Sequence, residues 1–332
     1  MTSRVRKIAV LTSGGDAPGM NAATRAVVRG ALARGCQVVG VERGYQGLVE
    51  GNFVELGMRS VSDIIHRGGT VLYTARSEAF TKPEGFKAAL DNLDKNKVDA
   101  LVVIGGDGTF RGALELSRHS IDVTCIPATI DNDIACSDYT LGFDTAVNTV
   151  ISMVDRLRDT AQSHDRCTLI EVMGRHCGNL ALAAGIASGA TAALVPEIDF
   201  DYELDILERI ATTRKNGIHF FNIIVAEGVY RKENARFLYS EQLADTLIQD
   251  TGLDVRSTIL GHVQRGGNAS ARDRTIAAEM GFLATELLVT GRGNRVIAVQ
   301  NGRVCDLDIE EALAYTRTFD FELYRMAQSI SI

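Results

Sequence analysis

Short apolar, β-branched runs that end in paired glycines and lead straight into helix-like segments recur along this chain, and that alternation constrains its fold most. "KIAVLTSGG" precedes "MNAATRAVVRGALARG", where Ala, Val and Leu fall at helical spacing and Gly35 closes the segment; "QVVGV" follows. A strand, tight loop, helix and second strand in that order imply parallel neighbours joined by a right-handed crossover. The grammar repeats in "DALVVIGGDGT", "FRGALELSRH" and "DVTCIP". A helix is expected from about Thr145 to Thr160, with Val147, Val150, Ile151, Val154 and Leu157 on one face. The same alternation runs on through "CTLIEVM", "GNLALAAGIAS", "FFNIIVAEG", "DVRSTIL", "RTIAAEMGFLATELLVTG" and "RVIAVQNG". Strands alternating with helices over the whole length specify an α/β protein with mainly parallel sheets. There are too many strands for one small sheet, so two α/β domains are expected. No Ser/Pro-rich linker separates them, so the chain should cross between domains through ordered segments.

With 332 residues, 45% of them hydrophobic, the chain can bury a real core without covalent staples. It has no apolar run of membrane-spanning length, and "MTSRVRKIAV" lacks the hydrophobic region and cleavage site of a signal peptide, so the reading is a cytosolic protein without a membrane partner. Cysteines 36, 125, 136, 167, 177 and 305 form no C-x-x-C pair, which points to reduced structural thiols. A net charge of −7 argues against a nucleic-acid partner. Any anionic ligand must therefore meet a local basic cluster.

Ligands of open α/β sheets bind beyond the carboxyl ends of the strands, and three loops in that position carry chemistry. "TSGGDAPG", Thr12 to Gly19, stands before a helix whose first amides can hold an anion; alone it is as well read as an ordinary glycine turn. "GGDGT", Gly105 to Thr109, flanks Asp107 with glycines, so backbone can approach polyphosphate while one carboxylate takes Mg²⁺. "PATIDNDIACSD" crowds Asp131, Asp133 and Asp138 after an apolar run; the bland reading is a solvated acidic loop, the sharp one a base beside a cation-bound phosphate. Thr129 and Asp131 lie two apart, so both can face one pocket, and a carboxylate there could take a proton from a hydroxyl. Phosphoryl transfer also needs positive charge. Arg76, Arg166, Arg175 and Arg256 are each, singly, as expected on a bare surface; "GHVQRGG" sets His262 and Arg265 together after a strand, a pairing suited to a phosphate monoester.

"LTSGGDAPGMNAA", "GGDGT", "TIDNDI", "EVMGR", "AEG" and "LGHVQRGG", in this order and spacing from about Lys7 to Asn301, resemble the bacterial-type ATP-dependent 6-phosphofructokinase family. The resemblance implies transfer of the γ-phosphoryl group of Mg-ATP to the 1-hydroxyl of fructose 6-phosphate, in the phosphofructokinase fold of two Rossmann-like three-layer α/β/α domains. It places residues 1–141 plus 254–304 in a larger ATP-binding domain and 142–253 plus 305–332 in a smaller sugar-phosphate domain. By the same resemblance Asp131 is the base on the sugar hydroxyl, with Thr129 and Asp133 beside it. Gly15, Arg76, Ser77, Gly106, Asp107, Gly108 and Thr109 would hold ATP, Asp107 being the Mg²⁺ carboxylate, and Arg175 would stabilise the moving phosphoryl group. Met173, Gly174 and Glu227 would frame the sugar, and His262 and Arg265 would hold its 6-phosphate with Arg166 and Arg256 of a neighbouring subunit. Shared sites imply a homo-oligomer, usually a tetramer.

Pyrophosphate-dependent members of the family put an aspartate where Gly108 stands and a lysine where Ala128 stands; both positions are small and uncharged here, so ATP is the expected donor. At the family's effector site Arg25, Arg29 and Arg158 match, but Met58, Thr191, Asn216 and Ile218 replace charged groups. Losing several charge-assisted contacts of ~1.5–3 kcal/mol each degrades that site for ADP and phosphoenolpyruvate and implies weak or absent activation by ADP. Two rival readings are a NAD-kinase-like phosphotransferase, which leaves "GHVQRGG" and "EVMGR" without a task, and a non-catalytic regulatory paralogue, which would need no hydroxyl base.

Overall fold

In the computed structural model, which describes residues 5–331, eleven strands make two sheets. They are β1 (Lys7–Thr12), β2 (Gln37–Val41), β3 (Phe53–Glu55), β4 (Ala100–Gly105), β5 (Asp122–Pro127), β6 (Cys167–Val172), β7 (Ala192–Leu194), β8 (Phe221–Ala226), β9 (Val255–Ile259), β10 (Arg295–Gln300) and β11 (Arg303–Asp308). The seven-stranded sheet runs β11-β10-β5-β4-β1-β2-β3 and the four-stranded one β7-β8-β6-β9. Every pair is parallel except β2–β3 and β10–β11, the two edges of the larger sheet.

The chain divides into two units: residues up to Thr145 with Arg265–Arg317, and Ala146–Gln264 with the residues from Thr318 on. These bounds differ from the expected ones for a topological reason. β9 pairs with β6, which takes 254–264 into the second unit, and β11 pairs with β10, which keeps 305–317 in the first. The helix expected from about Thr145 is longer, Phe143–Ser163.

The larger sheet explains why its strands read as unbroken apolar runs: β4 is buried along its whole length and β1 at every residue but its first, so neither face meets water. Leu11, Leu101, Val103 and Val123 point to one helical layer, where Leu48, Leu93, Phe110 and Leu116 close the core. The helices Met20–Ala33 and Ala271–Val289 pack closely on each other; a Cβ on Gly281 would lie 2.6 Å from that of Ala26. In the second unit Leu169, Leu194, Ile223 and Val225 meet Tyr202, Ile206, Leu243 and Leu247. Both units are thus α/β, and the fold is that of the mainly parallel three-layer class.

Among the described residues no disulfide joins the cysteines, and burial pushes the Cys167 thiol up to about 12 and Cys136 to about 11, which keeps these two protonated and inert. Among the described residues no helix is long and apolar enough to cross a membrane.

Candidate active site

The order of the larger sheet reverses between β1 and β4: β1 leads to β2 on one side, and β4 leads to β5 on the other. Loops at such a reversal part from each other and leave a crevice. Here a cavity of about 1000 Å³ opens there, walled by the loops after β1, β4 and β5.

The loops of β1 and β4 touch through glycine. A Cβ on Gly105 would fall 2.4 Å from the Ser13 carbonyl and 2.5 Å from Thr109 Oγ1, so no other residue allows this approach. Thr109 is buried and donates to the Ser13 carbonyl at 3.3 Å. Beyond it Gly106 caps the helix Asp107–Ser117, its carbonyl accepting the Thr109 and Phe110 amides at 2.9 and 3.2 Å, and the start of that helix offers an anion site. Cβ atoms on Gly106 or Gly108 would meet nothing within 4 Å. Asp107 is half exposed and paired with Arg111, one turn along, at 3.0 Å.

Gly14, at φ +89°, turns the loop after β1, and its carbonyl accepts the Thr74 hydroxyl at 2.7 Å. That bond lays the segment carrying Arg76 and Ser77 along the cavity rim. The Ser77 hydroxyl is engaged locally, donating to Gln46 and accepting from the Phe80 amide. Arg265 also lines this cavity: it donates to the Asp16 carbonyl at 3.0 Å, and a Cβ on Gly15 would sit 2.7 Å from its Nη1.

After β5 the acidic loop divides. Thr129, Asp131 and Asp133 are half-buried on the cavity wall, the Asp131 amide donating to Thr129 Oγ1 at 3.2 Å. Asp138 is exposed instead and accepts the Asn301 amide at 2.8 Å, tying down the β10–β11 turn. Two of the three carboxylates thus serve the cavity and one serves the fold.

An aromatic wall is absent from the sequence reading. Tyr45 and Phe80 stack at 4.3 Å, Phe86 meets Phe80 edge-on at 5.4 Å, and the Tyr45 hydroxyl donates to the Thr109 carbonyl at 2.6 Å. Pro83 at the first turn of the helix Pro83–Lys95 was the available signal for that wall's position.

In the second unit Gly174, at φ +130°, follows β6; a Cβ there would strike the Cys177 carbonyl at 2.3 Å. The Gly228 amide donates to the Gly174 carbonyl at 3.2 Å and the Met173 amide to Gln264 Oε1 at 3.2 Å, so "EVMGR", "AEG" and "GHVQR" meet here. Arg175 and His262 are exposed, and Glu227 is half-buried with Arg231 at 2.8 Å. Arg166 and Arg256 share one carboxylate: their Nε atoms lie 2.5 Å and 2.9 Å from Asp254, and the Arg166 hydrogen bond above all holds that carboxyl below its usual range.

Residues 7–288 match the family model described as Phosphofructokinase. The "ATP-dependent 6-phosphofructokinase" of Clostridium tetani is 50% identical over 327 residues, 98% of this chain and 100% of that protein. The protein of the same name from Clostridioides difficile is 48% identical over 328 residues, 99% of this chain and all of the relative. Among solved structures, phosphofructokinase from Saccharomyces cerevisiae superposes with a TM-score of 0.86 at 37% identity over 93% of this chain, which spans only 45% of the yeast chain. A pyrophosphate-dependent phosphofructokinase from Marinobacter aquaeolei, at 20% identity, TM-score 0.85, and covering 96% of this chain and 86% of its own, shares the fold. On the family match and full-length identity together, the chain belongs to the phosphofructokinase family.

Proposed function

We propose that the cavity at the sheet reversal binds the nucleotide and presents its terminal phosphate to Asp131, so that the chain transfers the γ-phosphoryl group of ATP to the 1-hydroxyl of fructose 6-phosphate. One observation carries this reading: a single cavity gathers the glycine loops of β1 and β4 with the half-buried Asp131 and Asp133. The first-turn amides of the helix Asp107–Ser117 and the bare faces of Gly106 and Gly108 take the phosphates, with Arg76 and Thr109 beside them. Asp131 accepts the hydroxyl proton, and Thr129 and Asp133 support it. Arg175 supplies charge to the transferring group, Met173, Gly174 and Glu227 frame the sugar, and His262 and Arg265 hold its 6-phosphate together with Arg166 and Arg256 of a neighbouring subunit.

Mg²⁺ suits this donor set. Among the described residues no group of three acids, histidines or cysteines could cage a metal, whereas one half-exposed carboxylate, Asp107, stands between two open glycines. An ion that prefers few protein ligands and substrate oxygens fits that arrangement, and when bound it would offset phosphate charge. A homo-oligomer, a cytoplasmic setting and a blunted response to ADP belong to the same reading.

ATP rather than pyrophosphate is the donor: the relatives at 47–50% identity bear the ATP-dependent name, and Gly108 and Ala128 leave room for a nucleotide. Turnover of fructose 6-phosphate with each donor, with and without a magnesium chelator, is the test. ATP-supported, chelator-sensitive turnover is expected; turnover with pyrophosphate alone would overturn the assignment.

A further inference from the structure

Outside the cavity, the first unit contains a carboxylate with no part in the chemistry described so far. Asp273 is wholly buried in the first turn of the helix Ala271–Val289. Its Oδ1 accepts the Tyr139 hydroxyl at 2.5 Å and the Gly142 amide at 2.7 Å; its Oδ2 accepts the Thr145 amide at 3.0 Å and the Thr145 hydroxyl. Four donors fill a carboxylate's acceptor capacity, and the helix N-terminus favours its charge. The Arg272 guanidinium covers the Tyr139 ring at 4.5 Å, and the Ser270 amide donates to Thr145 Oγ1 at 2.9 Å. Residues 139–145 are therefore bolted to the start of that helix.

Within the bolted segment, two residues reach back to the acidic loop. Thr140 donates its hydroxyl to the Thr129 carbonyl at 2.7 Å and its amide to Asn132 Oδ1 at 2.8 Å. The Leu141 amide donates to the Pro127 carbonyl at 3.0 Å, beside a bridge between Ala128 and Leu141. Thr129 and Asn132 flank Asp131 on either side, and Asn132 sits at φ +49°, a conformation that requires support.

We propose that Asp273 is a positioning residue for phosphoryl transfer: by gripping Tyr139, Gly142 and Thr145 it fixes Thr140, and through Thr140 it holds the backbone that aims Asp131. The inference rests on the reading of Asp131 as the base. Asp273 does not line the cavity, and asparagine keeps the Cβ that packs against Gly19 of the loop after β1, so the substitution acts on the chemical step.

The test is the Asp273→Asn variant, which keeps shape but turns an amino group toward two donors. Displacing a catalytic group by about an ångström costs up to ~100-fold, so a kcat ~10–100-fold below wild type is expected, with the KM for ATP within about twofold. Hydrogen exchange of the peptide spanning residues 128–134 should accelerate in the same variant. A folded Asp273→Asn enzyme with full kcat, or one whose kcat and both KM values worsen together, overturns the proposal. Should that variant not fold, Thr140→Val decides: it spares every Asp273 contact and cuts the tie to Thr129, and an unchanged kcat there is equally fatal. An Asp131→Asn control separates the two readings. If it retains turnover, the base assignment fails, while the exchange experiment still tests the hold of Asp273 on the loop.

Discussion

The two units prepare for anions by opposite means. In the first, backbone reaches the cavity beside its side chains: the first-turn amides of the helix Asp107–Ser117 and the unobstructed Gly106 and Gly108, pressed against the β1 loop by the Gly105 contact, join Arg76 and Arg265. In the second, only side chains supply cations, and besides the exposed Arg175 they are already engaged, Arg166 and Arg256 with Asp254, and Arg231 with Glu227. Backbone amides fixed by a helix need no reorganisation when phosphate arrives. Guanidinium groups held by a carboxylate must share or exchange that partner. The first site is therefore limited by space and local charge, and the second by the balance among its own ion pairs.

Gly108→Asp is the sharpest way to break this contrast. The new side chain meets nothing within 4 Å, so the fold should tolerate it, and a carboxylate in the first turn of a helix is favourable. It would nevertheless stand where the proposed reading puts the phosphates. Repulsion between unit charges 4 Å apart is ~1 kcal/mol in water and ~4 kcal/mol at an effective dielectric constant of 20, so the KM for ATP should rise by about tenfold or more. Melting temperature should hold. An unchanged KM would show that the nucleotide does not use the open glycines.

How much of this was legible follows the same division. β1, β4 and β5 were readable because strands buried on both faces leave continuous apolar runs, and their loops because glycine has few other reasons to cluster there. The antiparallel β10–β11 hairpin was not read, although Asn301 and Gly302, both at positive φ, are a strong two-residue turn signal. Asp138 was grouped with Asp131 and Asp133 because spacing counts charges without showing where they point; in the structure it serves that hairpin turn. The hold of Asp254 on Arg166 joins residues 88 apart, and the grip of Asp273 on Tyr139 joins residues 134 apart. No local pattern carries such pairings, since the fold alone brings their members together.

A more moderate effect is expected from Asp254→Asn. The carboxylate holds both guanidinium groups through Nε and leaves their terminal nitrogens available to an anion. Partly exposed ion pairs contribute little each, so losing two should raise the KM for fructose 6-phosphate only a few-fold, without change in the KM for ATP. The effect should shrink as salt is added. A lower KM for the sugar would reverse the reading, making Asp254 a competitor of the phosphate instead of its organiser.

The smallest effect tests whether side-chain charge also governs the stability of the second unit. Glu171 on β6 is half-buried and accepts the Ser240 hydroxyl at 2.6 Å. Burial, ahead of the nearby Glu227 and Glu241, lifts its carboxyl above 4.5, while the Ser240 bond opposes the shift. A raised folded value means that the protonated form is favoured on folding: its contribution is complete below about 4.5 and is lost as pH rises through the higher folded value. Glu171→Gln keeps the acceptor for Ser240 and removes the charge. As pH rises from below 4.5 to neutrality the wild type should therefore lose more melting temperature than the variant, by a small margin. Parallel pH profiles for the two proteins would mean that Glu171 is already relieved of its neighbours' charge, and the second unit would then owe less to its ion balance than its paired cations suggest.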